Sequence, residues 1–163
     1  MKLLVKLSVV LSLLTGCRPK PEPVPDRPGT SLPLAYPVLM LTHKRIQVVD
    51  DEERLTKTTE ASGPNYLEAQ IVDSAGVLYT VPKVTPFGKK SWILDMGTTI
   101  YRVHLTMKKL RQTDLAKVKQ LVLDVVREPN STWSLPVATR IVQGSATLAD
   151  LIEACRTNWQ WRD

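Results

Sequence analysis

The chain is poor in cysteine, with only Cys17 and Cys155 among its 163 residues. Small secreted domains with weak cores are commonly held together by several disulfides, and two cysteines exclude a scaffold of that kind. If Cys17 carries another group, Cys155 has no partner within the chain. We therefore predict a domain that folds without a disulfide.

Motifs that carry catalytic or metal chemistry are also missing. The two histidines, His43 and His104, lie far apart, and no H-x-x-x-H, C-x-x-C, G-x-S-x-G or P-loop pattern occurs. The acidic run 50–53 lacks the glycine and the ligand spacing of a calcium loop, which favours a solvated surface. The sequence therefore predicts no metal, no cofactor and no catalytic residue.

Long apolar runs are absent too. The apolar stretch near the start, residues 7–14, is interrupted by Ser8 and Ser12 and is shorter than the ~20 residues that a membrane-spanning helix needs. It follows the positive charges of Lys2 and Lys6. A positive start, a short apolar stretch and small residues at the end are typical of a secretory signal peptide.

The end of this segment is more specific, because Leu14-Thr15-Gly16 leads directly into Cys17. This arrangement resembles the lipobox of bacterial lipoproteins. The resemblance implies a signal peptide over residues 1–16, cleavage between Gly16 and Cys17, and lipid on the Cys17 thiol. Two or three acyl chains hold a protein stably on a membrane. Arg18, rather than an aspartate, follows the cysteine, which in that family implies the outer membrane, with the domain facing the periplasm.

The next segment, residues 17–37, is a predicted tether. Seven of the chain's twelve prolines lie in it. Proline fixes φ and removes a backbone donor, so a proline-rich run favours an extended, polyproline-like spacer. Removal of Lys2 and Lys6 with the signal peptide lowers the formal net charge from +6 to 6 − 2 = +4.

Residues 38–163 are predicted to form a single globular domain. The chain is 43% hydrophobic and 23% charged, which is typical of a folded protein. Residues 45–50 have strand-like content, and residues 51–64 lack periodicity and predict a loop or a short, ill-defined element. Two strand-like runs, 66–72 and 77–81, flank the turn cluster Asp73-Ser74-Ala75-Gly76 and predict a β-hairpin.

Further strands are expected after this hairpin. Pro82 and Pro86 are predicted to end its second strand. Residues 91–107 form another extended stretch, which is too long for one ordinary strand, and Gly97 marks a predicted break within it. Residues 133–142, interrupted by Pro136, are predicted to be an edge strand or a loop with a short strand.

Two helices are predicted near the end of the chain. Apolar residues at three- and four-residue spacing indicate a helix over 113–127, with Thr113 as its N-cap. A second helix begins at Thr147, with Asp150 three residues later as a variant capping box. On that helix Cys155 falls on the apolar face, which predicts a buried thiol. The element order predicts an α+β fold, an antiparallel sheet of four to five strands with two helices on one face.

Two groups of residues are candidates for partner binding. Lys108, Lys109 and Arg111 form a basic group just before the first predicted helix. Trp161 and Arg162 lie near the C-terminus, and exposed Trp and Arg are favoured interface anchors. An acidic protein, anionic lipid or cell-wall polymer suits the basic group, whereas nucleic acid does not suit an envelope lipoprotein.

The missing catalytic motifs favour a membrane-anchored, non-enzymatic module that binds an envelope protein or supports assembly. The combination of lipobox, proline-rich tether and compact α+β domain is similar to that of small lipoproteins that neutralise antibacterial toxins in the periplasm. An immunity protein is therefore one alternative. An envelope enzyme whose site is assembled only by the fold is the other.

Overall fold

The computed structural model describes residues 25–43, 45–59, 63–93, 98–129 and 131–159. The strands in them are β1 Gly29–Thr30, β2 Val38–Leu41, β3 Ile46–Val49, β4 Lys57–Thr59, β5 Gln70–Asp73, β6 Val77–Ile93 and β7 Thr98–Gln112. The helices are α1 Glu52–Leu55, α2 Leu115–Arg127, α3 Leu135–Gly144 and α4 Leu148–Trp159, with a 3₁₀ turn at Gly63–Tyr66. The α+β class is confirmed.

The sheet is larger than predicted and is mixed. Its order is β1-β7-β6-β5-β2-β3, and β4 also pairs with β7. The two-residue strand β1 runs parallel to β7, while every other strand pair among the described residues is antiparallel. The sequence prediction of four to five antiparallel strands missed β1 and β4 because strands of two or three residues carry no readable alternation.

The predicted hairpin around residues 73–76 is confirmed. β5 and β6 pair in antiparallel register, from Gln70 opposite Thr80 to Val72 opposite Leu78. Asp73 closes the turn, because its carboxylate accepts a hydrogen bond of 2.8 Å from the backbone N–H of Val77. Gly76 adopts φ of 79°, a conformation that glycine reaches without strain.

The prediction that Pro82 and Pro86 end β6 is wrong, since the strand continues to Ile93. Val81 still exchanges backbone hydrogen bonds with Glu68 and Ala69, but beyond it the described residues of β6 pair with β7 alone, so a proline there can direct its missing donor away from the ladder. A register shift between Thr80 and Lys83 also places Pro82 in an irregularity of the strand. Prolines at an edge or a bulge are compatible with a long strand.

The helix caps correct one prediction and confirm another. Asp114, and not Thr113, is the N-cap of α2, because its carboxylate accepts from the Lys117 N–H at 2.7 Å. At the start of α4 the capping box is confirmed: the Asp150 carboxylate accepts from the Thr147 N–H at 2.8 Å, and the Thr147 hydroxyl accepts from the Asp150 N–H at 3.1 Å.

Residues 135–144 are helical, which makes the predicted extended segment over 133–142 wrong. Pro136 lies in the first turn, where a helix does not need the missing N–H. Ala138, Ile141 and Val142 recur at helical spacing and are buried. The interpretation failed because the proline was taken as a break, whereas it marks the start of the helix.

None of the helices in the described part of the chain has the length and apolar character that a membrane crossing requires.

One apolar core lies between the sheet and helices α2, α3 and α4. It is built on the side of the sheet that carries Leu39, Leu41 and Leu78, which we call the helix side. Cys155 of α4 is a free cysteine and is 1% exposed in this core. Burial raises the pKa of its thiol to about 12. The predicted buried, unpaired thiol is confirmed.

A second apolar core lies on the opposite side of the sheet, which we call the inner side. It contains Val103, Leu105 and Met107 of β7. The short helix α1 contacts β3 at one edge of the sheet and β1 and β4 at the other. The sheet therefore curls around this core, and α1 bridges its two edges.

Residues 29–37, which the sequence assigns to the tether, pack on the inner core. Leu32, Leu34 and Tyr36 are partly buried against it. Backbone contacts secure the segment, since the Ser31 N–H donates to the Leu105 carbonyl at 3.0 Å and the Ser31 hydroxyl accepts from the Met107 N–H at 2.7 Å. Residues 29–37, which we call the strap, therefore cross the inner side of the sheet.

The region 51–64, predicted to be a loop or a short, ill-defined element, contains three short elements: α1, β4 and the start of the 3₁₀ turn. The acidic residues 50–52 in and beside this region make capping and ion-pair contacts. Asp51 caps α1 by accepting from the Arg54 N–H at 2.8 Å, and Glu52 accepts from both the N–H and the hydroxyl of Thr30. Asp50 pairs with Arg156 of α4 at 2.7 Å. These contacts tie α1 to β1 and to the helical layer.

Candidate interaction surface

The middle of β7 alternates strictly between buried and accessible residues. Val103, Leu105 and Met107 are at most 6% exposed and face the inner core. Side chains on a strand alternate between the two sides of the sheet, so the residues between them face the helix side. These residues are Arg102, His104, Thr106 and Lys108.

The strand register collects more cations on the same side. Directly opposed residues of an antiparallel pair share a side. Lys57 of β4 lies opposite Arg102, and Lys83 of β6 lies opposite Thr106. Arg111 lies opposite Leu78, which belongs to the core on the helix side. We call this surface the basic face and define it by Lys57, Lys83, Arg102, His104, Lys108 and Arg111.

Helices leave this part of the sheet accessible. Helix α2 contacts β2 and helix α4 contacts β3, at the other end of the strand order. Lys57, Arg102, Lys108 and Arg111 are accordingly all exposed. The helix side of the sheet is therefore apolar under the helices and cationic beyond them.

The charges of the basic face are only partly neutralised. Arg102 pairs with Glu53 of α1 at 2.7 Å, an exposed ion pair of small energetic weight. Among the described residues, Lys57, Lys108 and Arg111 have no carboxylate partner. A surplus of positive charge on one surface attracts anionic partners and steers their approach.

His104 occupies the centre of the basic face. Its ring lies 6.5 Å from the ring of Phe87, centroid to centroid. Its Nδ1 lies 3.1 Å from the Arg27 carbonyl oxygen. A carbonyl can only accept, so Nδ1 carries the proton and donates this hydrogen bond. The contact holds the backbone at Arg27 against the basic face.

The structure divides the predicted basic group. Lys108 and Arg111 belong to the basic face, but Lys109 lies opposite Tyr79, whose side chain packs in the inner core. A register irregularity between Leu78 and Tyr79 on β6 leaves Leu110 as an extra residue on β7. Without this bulge Lys109 and Arg111 would share a side.

The remaining predicted site residues are outside the described residues. They are Gly16, Cys17, Trp161 and Arg162. Conversely, the sequence interpretation missed Lys57, Lys83 and Arg102 as parts of the surface. A signal was present for Arg102, because polar residues alternate with apolar ones through 102–108. Nothing in the sequence linked Lys57 to this strand, since β4 reaches β7 only through the curl of the sheet.

A groove of about 210 Å³ lies elsewhere, between the end of β2, the turn after the 3₁₀ segment and α2. Its rim includes His43, Glu68, Asp124 and Glu128, and Leu67 beside them is 48% exposed. Asp124 already accepts from Gln120. The described residues contain no group of three or more His, Cys, Asp or Glu that could hold a metal ion.

No protein-family model, no curated protein and no solved structure matches the chain. The basic face is therefore interpreted from its own geometry and charge.

Proposed function

We propose that the chain is a bacterial envelope lipoprotein whose folded domain is a non-enzymatic binding or assembly module. In this proposal, cleavage after Gly16 leaves lipid on Cys17 as the anchor, and the domain faces the periplasm from the outer membrane. The domain binds an anionic component of the envelope through the basic face.

The basic face is the observation that carries the proposal. Cations from three strands, distant in sequence, converge on one exposed side of the sheet. The side chains beneath them form a dense apolar core, so the surface is held in place by a rigid sheet. Binding surfaces built on strands keep their geometry better than surfaces on loops. A fixed array of cations is suited to binding an anionic surface.

The anchor is tested by metabolic labelling with a fatty-acid analogue. Cys17→Ser should abolish the label and leave an uncleaved precursor, because no other thiol stands at the lipobox. Cys155→Ser is the matched control and should keep the label. Equal labelling of the Cys17→Ser chain would end the lipoprotein proposal.

The binding surface is tested by photo-crosslinking of the full chain in bacterial envelopes. A photoreactive residue at Thr106, within the basic face, should give specific adducts. The same probe at Gln143, exposed on α3, is the control and should give few. Replacing Lys57 and Arg111 with Gln should weaken the Thr106 adducts. Equal adducts from both positions, or none from Thr106, would refute a role for the basic face.

A further inference from the structure

We infer that the basic face docks on the anionic phospholipid headgroups of the bilayer to which the chain is tethered. This inference rests on the lipid anchor proposed above and names the partner of the basic face. It is carried by charge complementarity and by the position of the N-terminal end of the described chain.

The N-terminal end of the described chain lies at the basic face. Residue 25 is the first described residue, and the Arg27 carbonyl accepts a hydrogen bond from His104 in the centre of that face. β1, which follows, runs along the edge of β7 with Gly29 opposite His104. The side of the domain nearest to an N-terminal anchor is therefore the cationic side.

The length of the intervening chain keeps this face close to the bilayer. Cys17 and Arg27 are 27 − 17 = 10 residues apart, which spans at most about 35 Å when fully extended. Such a tether makes docking an intramolecular event, with an effective concentration in the millimolar range for a short linker. A weak electrostatic contact is then sufficient, since each Lys or Arg beside an anionic leaflet strengthens binding about five-fold.

The chemistry of the basic face suits headgroups and not the apolar interior of the bilayer. Its exposed residues are cationic, and the one aromatic ring described there, that of Phe87, is only half-buried against His104. The backbone edge of β6 offers little to an added strand, because Pro82 and Pro86 lack N–H groups. The face therefore attracts phosphate groups through side-chain charge.

Neighbouring lysines provide an internal comparison. Lys108 and Lys109 are both exposed, but they lie on opposite sides of β7. Docking of the basic face should cover Lys108 and leave Lys109 open to solvent. The two amines have the same intrinsic chemistry, so a difference in their reactivity that depends on lipid reports the orientation of the domain.

The experiment uses the full chain reconstituted in phosphatidylcholine vesicles with and without phosphatidylglycerol. Lysines are acylated with a water-soluble reagent, and the rate at each is measured by mass spectrometry. Phosphatidylglycerol should slow acylation of Lys108 relative to Lys109, because a docked amine is shielded from the reagent, and high salt should remove the protection. The double variant Lys57→Gln/Arg111→Gln should weaken docking about 25-fold and restore the Lys108 rate.

The matched control is Arg45→Gln/Arg140→Gln, which removes the same charge from exposed positions at the other edge of the sheet and on α3. It should keep the protection. Equal Lys108 rates in both vesicles, or protection in phosphatidylcholine alone, would overturn membrane docking. The photoreactive probe at Thr106 could crosslink to a protein in envelopes while Lys108 stays reactive on anionic vesicles. Docking on lipid would then be wrong, but the proposal of a binding module would be retained. If the Cys17→Ser chain instead keeps the fatty-acid label, the proposed anchor itself is wrong.

Discussion

Leu105→Ala tests the side assignment of β7, on which the basic face depends. Leu105 is 0% exposed in the inner core, and its burial places His104 and Thr106 on the other side. The change removes three buried carbons and leaves a cavity in a packed region. Comparable substitutions cost about 2.7–5 kcal/mol, and a value of about 3 kcal/mol corresponds to a fall in Tm of about 10 °C in a domain of this size.

Leu110→Ala is the matched control on the same strand. Leu110 is 47% exposed at the bulge, so its truncation should change the free energy of unfolding by less than about 0.5 kcal/mol. Urea unfolding followed by Trp fluorescence gives both values from the transition midpoints at a common slope. Equal effects of the two substitutions, or a Leu105→Ala cost below about 1 kcal/mol, would mean that β7 faces the other way. The cations at 102 and 108 would then point into the core, and the basic face could not exist.

Other predictions address the thiol, a helix cap and His43. Cys155 should react with a thiol reagent slowly in the native domain at pH 8 and rapidly in urea, because burial raises the pKa of its thiol to about 12 and removes it from solvent. Rapid native labelling would contradict the packing of α4. Hydrogen bonds from the Thr147 hydroxyl and backbone lower the pKa of Asp150. Its stabilisation is thus present above the ordinary Asp pKa and is lost as pH falls through the lowered value, so wild type and Asp150→Asn should differ more in urea midpoint near neutral pH than at about pH 2. If the difference in urea midpoint does not change with pH, the Asp150 carboxylate does not stabilise the cap. Substitution of His43 with Gln, a histidine outside the basic face, should leave partner binding and function in place, as measured by capture from envelopes. A folded variant that still binds its partner but has lost function would favour the enzyme alternative.

The elements that the sequence predicted well are those held by local interactions. The α2 helix, the capping box at Thr147 and the hairpin at 73–76 each depend on residues close together in the chain. Cys155 was placed correctly for the same reason, because its burial follows from the apolar spacing of one helix. Pro136 misled the interpretation of α3, since a proline stops a helix in its interior but is favoured in its first turn.

The short strands could not be predicted. β1 and β4 have two and three residues, and they exist because the long strand β7 offers an unpaired edge. The strap over 29–37 packs through Leu32 and Leu34, which are separated by Pro33 in a run that resembles a linker. Their burial is a property of the curled sheet, and no local pattern encodes it.

The sequence by itself determined the α+β class, the apolar faces of α2 and α4 and the alternation through 102–108, because side-chain periods of 3.6 and 2 are set by the geometry of one element. Only the tertiary structure decided which cations share a surface. Lys57 meets Arg102 because the sheet curls and α1 bridges its edges, and Lys109 separates from Arg111 because a bulge shifts the register. Pairing between distant strands depends on burial of the whole inner core, so the basic face exists only once that core has formed.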